Sequence, residues 1–134
     1  MFRRSFILGL AIAMLVPVGM AQATAKFVEY KPGVIEKALA SGKTVFVDYS
    51  AVWCITCKTQ SRVIAQLTQD NPNYAKSMTF VRVDWDDFGD QPVTRDRNVP
   101  RRSTLLVLRG NKELGRLVAG TSKAEIKALL DKGL

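Results

Sequence analysis

The chain has 134 residues, 47% hydrophobic and 24% charged, and its 20 Lys and Arg against 12 Asp and Glu give a formal net charge of +8. It contains no histidine and two cysteines. Histidine-based triads, histidine-ligated zinc, Cys–His nucleophile pairs and a disulfide-stapled miniprotein are therefore excluded.

Residues 1–25 read as a secretory signal segment. Arg3 and Arg4 form a positive n-region, and Phe6 to Val18 form an apolar h-region. Ala21-Gln22-Ala23 or Ala23-Thr24-Ala25 supplies the small-residue cleavage site. The apolar run is shorter than the roughly 20 residues that span a bilayer, so cleavage after Ala23 or Ala25 is expected. The expected location is periplasmic or otherwise exported, with membrane anchoring only if the segment stays uncleaved. The remainder, residues 26–134, suffices for one compact domain and not two. Removing Arg3 and Arg4 takes the formal charge from +8 to +6, so that domain stays basic.

A first helix is predicted over Lys31–Ala40. Val34, Ile35, Ala38 and Leu39 have helical spacing, Pro32 lies in the first turn, and Ser41-Gly42 ends it. Thr44–Ser50 is β-rich and mostly apolar, as a strand covered on both faces should be. Trp53-Cys54-Ile55-Thr56-Cys57-Lys58 follows, at the start of a helix predicted from about Cys54 to Thr68. That helix turns Val63, Ile64 and Leu67 inward and breaks at Asn71-Pro72. Met78–Val83 is a second strand, and the polar stretch Asp84–Arg102 carries a short helical turn over Val93–Arg97. Ser103–Leu108 is a third strand, Arg109–Lys112 a turn and Glu113–Ala119 a fourth strand. A last helix is predicted over Lys123–Leu130, capped by Thr121 or Ser122. The fold class is α/β, one central sheet with helices on both faces.

Chemistry concentrates on the cysteines. Two thiols spaced C-x-x-C at a helix start can close a small disulfide ring and reopen it. Free N–H groups and the positive end of the helix dipole stabilise the first thiolate. A bridge over two intervening residues closes almost no loop entropy, so reactivity explains the pair better than stability does.

This order of elements, with W-C-x-x-C-K after the first long strand, resembles the thioredoxin family over nearly all of residues 26–134. Asp48 lies six residues before Cys54, where thioredoxins carry a buried acid beneath the dithiol. Arg82, in Phe80-Val81-Arg82-Val83-Asp84, falls where a lysine often pairs with that acid. Gly110 falls in the hairpin turn and Gly120 precedes the last helix. The motif itself, with Tyr49-Ser50-Ala51-Val52-Trp53 ahead and Ile55-Thr56 inside, is most similar to the periplasmic C-terminal domain of DsbD-type reductases. One departure stands out. Ser103-Thr104 occupies the place of the family's cis-proline and threonine, and Pro100 is three residues too early to be that proline. In the family this proline shapes the substrate groove and keeps metals from the cysteines.

The resemblance implies a thiol–disulfide oxidoreductase whose only redox group is the Cys54–Cys57 dithiol, with no cofactor. Cys54 is the exposed nucleophile, Cys57 resolves the mixed disulfide, and Asp48 takes the Cys57 proton. Trp53, Ser103 and Thr104 line the substrate groove. The expected partners are a disulfide-containing client protein and a membrane thiol reductase that donates electrons to a monomer. With no histidine in the motif, the expectation is a reductant or electron relay and not an oxidase.

Two rival readings use the same thiolates: a Cu(I) or iron–sulfur site permitted by Ser103, and a module that captures a client without turnover. Arg95, Arg97, Arg101 and Arg102 form a basic run, either a solvated face or a steering surface for an acidic partner or anionic membrane. Nucleic-acid binding has no motif here. Asp84, Asp86, Asp87 and Asp90 lack the spacing of a calcium loop.

Overall fold

The computed structural model describes residues 24–134. The signal-segment expectation falls almost wholly on residues 1–23, outside the described residues. The elements are β1 (Phe27–Glu29), α1 (Val34–Ala40), β2 (Thr44–Ser50), α2 (Ile55–Asp70), α3 (Asn73–Ser77), β3 (Met78–Asp84), α4 (Trp85–Phe88), α5 (Pro92–Arg95), β4 (Thr104–Arg109), β5 (Lys112–Val118) and α6 (Lys123–Asp131).

One five-stranded sheet runs in the order β1-β3-β2-β4-β5. β1, β3 and β2 are parallel, while β4 and β5 run antiparallel. β2 is the central strand, and its alternating side chains divide between the two faces. Phe46 packs with Ile64 and Leu67 of α2, Tyr74 of α3, and Ile126, Leu129 and Leu130 of α6. Val45, Val47 and Tyr49 pack on the other face with Ile35 of α1 and Val93 of α5. The same alternation puts Asp48 on the Phe46 face, under α2. The fold class read from the sequence therefore holds: a mixed central sheet with helices on both faces.

The differences from the sequence reading are local. β1 and α3 were not expected, because three and five residues are too few to display a period. α1 begins at Val34 and not Lys31, since Gly33 is left-handed with φ 92° and cannot belong to the helix. α2 extends two residues past Thr68 before Asn71 caps it. The polar connector holds two short helices where one turn was expected, the first capped by the Asp84 carboxylate accepting from Asp86 N–H at 3.0 Å. No helix among the described residues is long and apolar enough to cross a membrane.

Candidate active site

β2 delivers the chain to the C-terminal edge of the sheet, and Ala51-Val52-Trp53 turns it into α2. Cys54 caps that helix. It has extended backbone angles (φ −88°, ψ 113°), and its sulfur accepts the Cys57 N–H at 3.2 Å. The backbone closes the junction on both sides, with Cys54 N–H donating to Ala51 O and Lys58 N–H donating to Cys54 O, each at 3.1 Å. Cys54 and Cys57 are joined as a disulfide across this first turn.

The expectation that Cys54 is an exposed thiol needs correction. The residue is 2% exposed against 1% for Cys57, packed in one small cluster with Ala51 and backed by Trp85. What is exposed is the rim: Val52 at 81%, Ile55 at 78% and Trp53 at 52%. The Trp53 indole N–H reaches both carboxylate oxygens of Asp86 at 3.0 Å, and the Arg102 guanidinium lies 4.4 Å from the ring centroid. The apolar rim is thus held by two residues of the connector.

Asp48 is fully buried. Its cross-strand neighbour Arg82 places Nε and Nη2 each 3.3 Å from Oδ2. Oδ1 accepts no hydrogen bond from any described residue. Desolvation outweighs the attraction of Arg82, so the carboxyl pKa is pushed up from 3.8 to about 6. Arg82 also packs over the Phe27 ring at 4.2 Å and lines a cleft of about 600 Å³ with Ser50, Lys58, Ser61 and Arg62. A carboxyl with its pKa pushed towards neutrality, on the sheet face covered by the dithiol helix, is suited to accepting a proton from a thiol.

Ser103 touches the disulfide directly. Its Oγ is 3.2 Å from the Cys54 sulfur and 3.0 Å from the Cys57 sulfur, and the residue is fully buried. Thr104 is also buried, but its hydroxyl donates to Arg101 O at 2.7 Å. The structure thus gathers Cys54, Cys57 and Ser103 in direct contact. Asp48 lies on the sheet face beneath α2, Trp53 on the rim, and the Thr104 hydroxyl is engaged with the loop before β4.

The thioredoxin family model matches residues 26–132. The chain belongs to the thioredoxin family. Thioredoxin-1 of Saccharomyces cerevisiae is 33% identical over 92 residues, covering 69% of this chain and 82% of that one. Thioredoxin-2 of the same yeast is 36% identical over 93 residues, covering 69% and 83%. Among solved structures, Trxlp from Edwardsiella tarda superposes with a TM-score of 0.65 at 29% identity, over 75% of this chain and 96% of that one. Schistosoma mansoni thioredoxin gives 0.64 at 27% identity, over 84% and 99%. Membership makes the chain a thiol–disulfide oxidoreductase that acts on disulfide-containing substrate proteins through Cys54 and Cys57. Among the described residues, no group of three His, Cys, Asp or Glu side chains could hold a metal ion.

Sequence reasoning missed Gln60. This fully buried residue of the dithiol helix donates from its amide nitrogen to Ser103 O at 3.0 Å and to Gly120 O at 2.9 Å. The signal was available: Gln60 lies on the helix stripe of Cys57, Ile64 and Leu67, where a polar side chain needs a partner. Asp86 and Arg102 were seen only as members of charge runs. The basic run itself is dispersed, since Arg95 faces Asp90 at 3.7 Å, Arg97 faces Glu36 at 3.8 Å, and Arg102 covers Trp53.

Proposed function

We propose that this thioredoxin-family chain is an exported reductant or electron relay, recharged by a membrane thiol reductase and acting on disulfides of extracytoplasmic proteins. The Cys54 thiolate attacks a client disulfide, forming a Cys54–client bond and expelling the other client sulfur as a thiolate. Cys57 gives its proton to Asp48. The Cys57 thiolate then attacks the Cys54 sulfur, closing the intramolecular disulfide and releasing the second client thiolate. The client gains two electrons and the dithiol loses them; the donor restores it by the same exchange in reverse order.

The observation that carries the mechanism is Asp48, a buried carboxyl whose pKa is pushed up to about 6 on the sheet face beneath the dithiol helix. Its partner Arg82, which keeps its own proton, holds Oδ2 and lines an open cleft beside β2. Export rests on the n-region, apolar run and small-residue site of residues 1–25. The reducing direction is supported by the Ile55-Thr56 dipeptide, the absence of histidine and the DsbD-like motif.

The equilibrium potential of the Cys54–Cys57 pair, in defined thiol–disulfide buffers with metal content checked, tests the direction. A value near −270 mV, about that of thioredoxin, supports a reductant. A value near −120 mV, about that of a strong oxidant, reverses the direction. Stoichiometric metal with no reversible disulfide turns the dithiol into a ligand.

A further inference from the structure

Ser103 has a backbone that nothing in its own side chain favours. It is left-handed, with φ 63°, a conformation that strains residues other than glycine. The surroundings over-determine it. Ser103 N–H donates to Tyr49 O at 2.7 Å, while Ser103 O accepts from Ala119 N–H at 2.8 Å and from the Gln60 amide at 3.0 Å. Those three bonds tie the residue to β2, to the end of β5 and to the dithiol helix. The result of that clamp is a buried hydroxyl aimed at both sulfurs, at 3.2 and 3.0 Å.

We propose that the Ser103 hydroxyl is a catalytic group of the exchange reaction: in the reduced protein it donates its proton to the Cys54 thiolate while accepting the Cys57 S–H. A hydroxyl carries one donor and two acceptor lone pairs, so one Oγ serves both sulfurs at once in that arrangement. A hydrogen bond to an ionised acceptor, in a site nearly closed to water, is among the stronger kinds. It holds the attacking sulfur ionised and the resolving sulfur protonated, which is the state that begins the exchange. When the disulfide closes, neither sulfur carries charge and the bond weakens. Ser103 therefore stabilises the reduced form over the oxidised form, and raises the potential of this dithiol relative to the same site without the hydroxyl. The role rests on Cys54 being the attacking thiol.

The test compares the mature wild-type protein with Ser103→Ala and Ser103→Gly. Alanine removes the hydroxyl and keeps the Cβ; glycine removes the hydroxyl and also relieves the left-handed strain. Iodoacetamide alkylation of the reduced protein is followed against pH, with the modified cysteine identified by peptide mass spectrometry. The equilibrium constant against glutathione is measured alongside. In both variants, Cys54 thiolate below its titration midpoint is expected to fall about tenfold, and the equilibrium to move about tenfold towards the disulfide, ~30 mV lower in potential. Cys54 profiles and equilibrium constants within twofold of wild type in both variants overturn the proposal. A shift in the glycine variant alone assigns the effect to backbone conformation and also overturns it. Alkylation falling first on Cys57 overturns the assignment of Cys54 itself, and is told apart from an idle Ser103 by the modified peptide.

Discussion

Asp48 and Arg82 stand opposite each other in the β2–β3 register, yet the guanidinium engages only one carboxylate oxygen. Both contacts, at 3.3 Å, fall on Oδ2. An ion pair this lopsided leaves desolvation dominant, which is why the carboxyl pKa is pushed up to about 6 despite an adjacent cation. The pair is therefore arranged to hold a proton and not to maximise stability.

Asp48→Asn is expected to stabilise the protein at pH 8 and to leave it unchanged at pH 4. A folded-state pKa above the unfolded value means that the native state binds the proton more tightly. Ionised Asp48 thus opposes folding above about pH 6, and the penalty disappears as pH falls towards 4. The rise from 3.8 to about 6 corresponds to about 3 kcal/mol, an upper figure because the variant also gives up the Arg82 contact. Urea unfolding at both pH values checks this. Release of the reduced client should meanwhile slow in the variant, since the resolving thiol has lost its proton acceptor. Equal stability of the two proteins at pH 8 would remove the buried-base role.

The two cysteines are expected to fail in different ways. Cys54→Ala abolishes exchange, because no thiol remains at the capping position of α2. Cys57→Ala leaves Cys54 able to attack and unable to be resolved, so a covalent client adduct accumulates at about one per protein. Non-reducing electrophoresis with a disulfide-bonded client reads both. Full multiple-turnover activity of Cys57→Ala would falsify the two-cysteine mechanism.

Much of this was legible in the sequence because it depends on period and spacing. Thr44–Ser50 is β-rich and mostly apolar, and the structure makes it the doubly covered central strand. The C-x-x-C pair after that strand was better explained by reactivity than by stability, and the thioredoxin family match agrees with a redox role. The Asp48–Arg82 pairing followed from register with the family. The sequence was silent where a contact depends on tertiary placement. Nothing in Ser103 announces a left-handed backbone, since three bonds from distant segments impose it. The burial of Cys54 likewise comes from Ala51 and Trp85 packing against the ring, not from its place in the motif. β1 is a three-residue edge strand whose pairing with β3, and not its composition, defines it.

Trp53 shows what the connector contributes to the rim. Asp86 fixes the indole N–H and Arg102 covers the ring, so the aromatic face beside Cys54 is held in place before a client arrives. Asp86→Ala frees the indole. A neutral donor bonded to a carboxylate at an exposed site contributes about 1 kcal/mol, or roughly fivefold in client on-rate if ring placement governs docking. Stopped-flow oxidation of the reduced protein by a disulfide-bonded peptide is the measurement, and global stability should change by less than about 1 kcal/mol. An unchanged rate would make Trp53 a passive part of the rim.

Restoring the family's proline at Ser103 is expected to damage this protein. Proline fixes φ near −65° and carries no N–H, whereas Ser103 has φ 63° and donates to Tyr49 O at 2.7 Å. Ser103→Pro therefore loses a buried backbone hydrogen bond and leaves the Tyr49 carbonyl unpartnered, at a cost of about 1–3 kcal/mol. The backbone around residue 103 must also rebuild, which breaks the Gln60 bond that joins this loop to α2. The urea midpoint should fall accordingly, while Ser103→Gly, which keeps the N–H and tolerates positive φ, should hold or raise it. If Ser103→Pro unfolds at the wild-type urea concentration, the clamp made by Tyr49, Ala119 and Gln60 does not set the conformation of this loop.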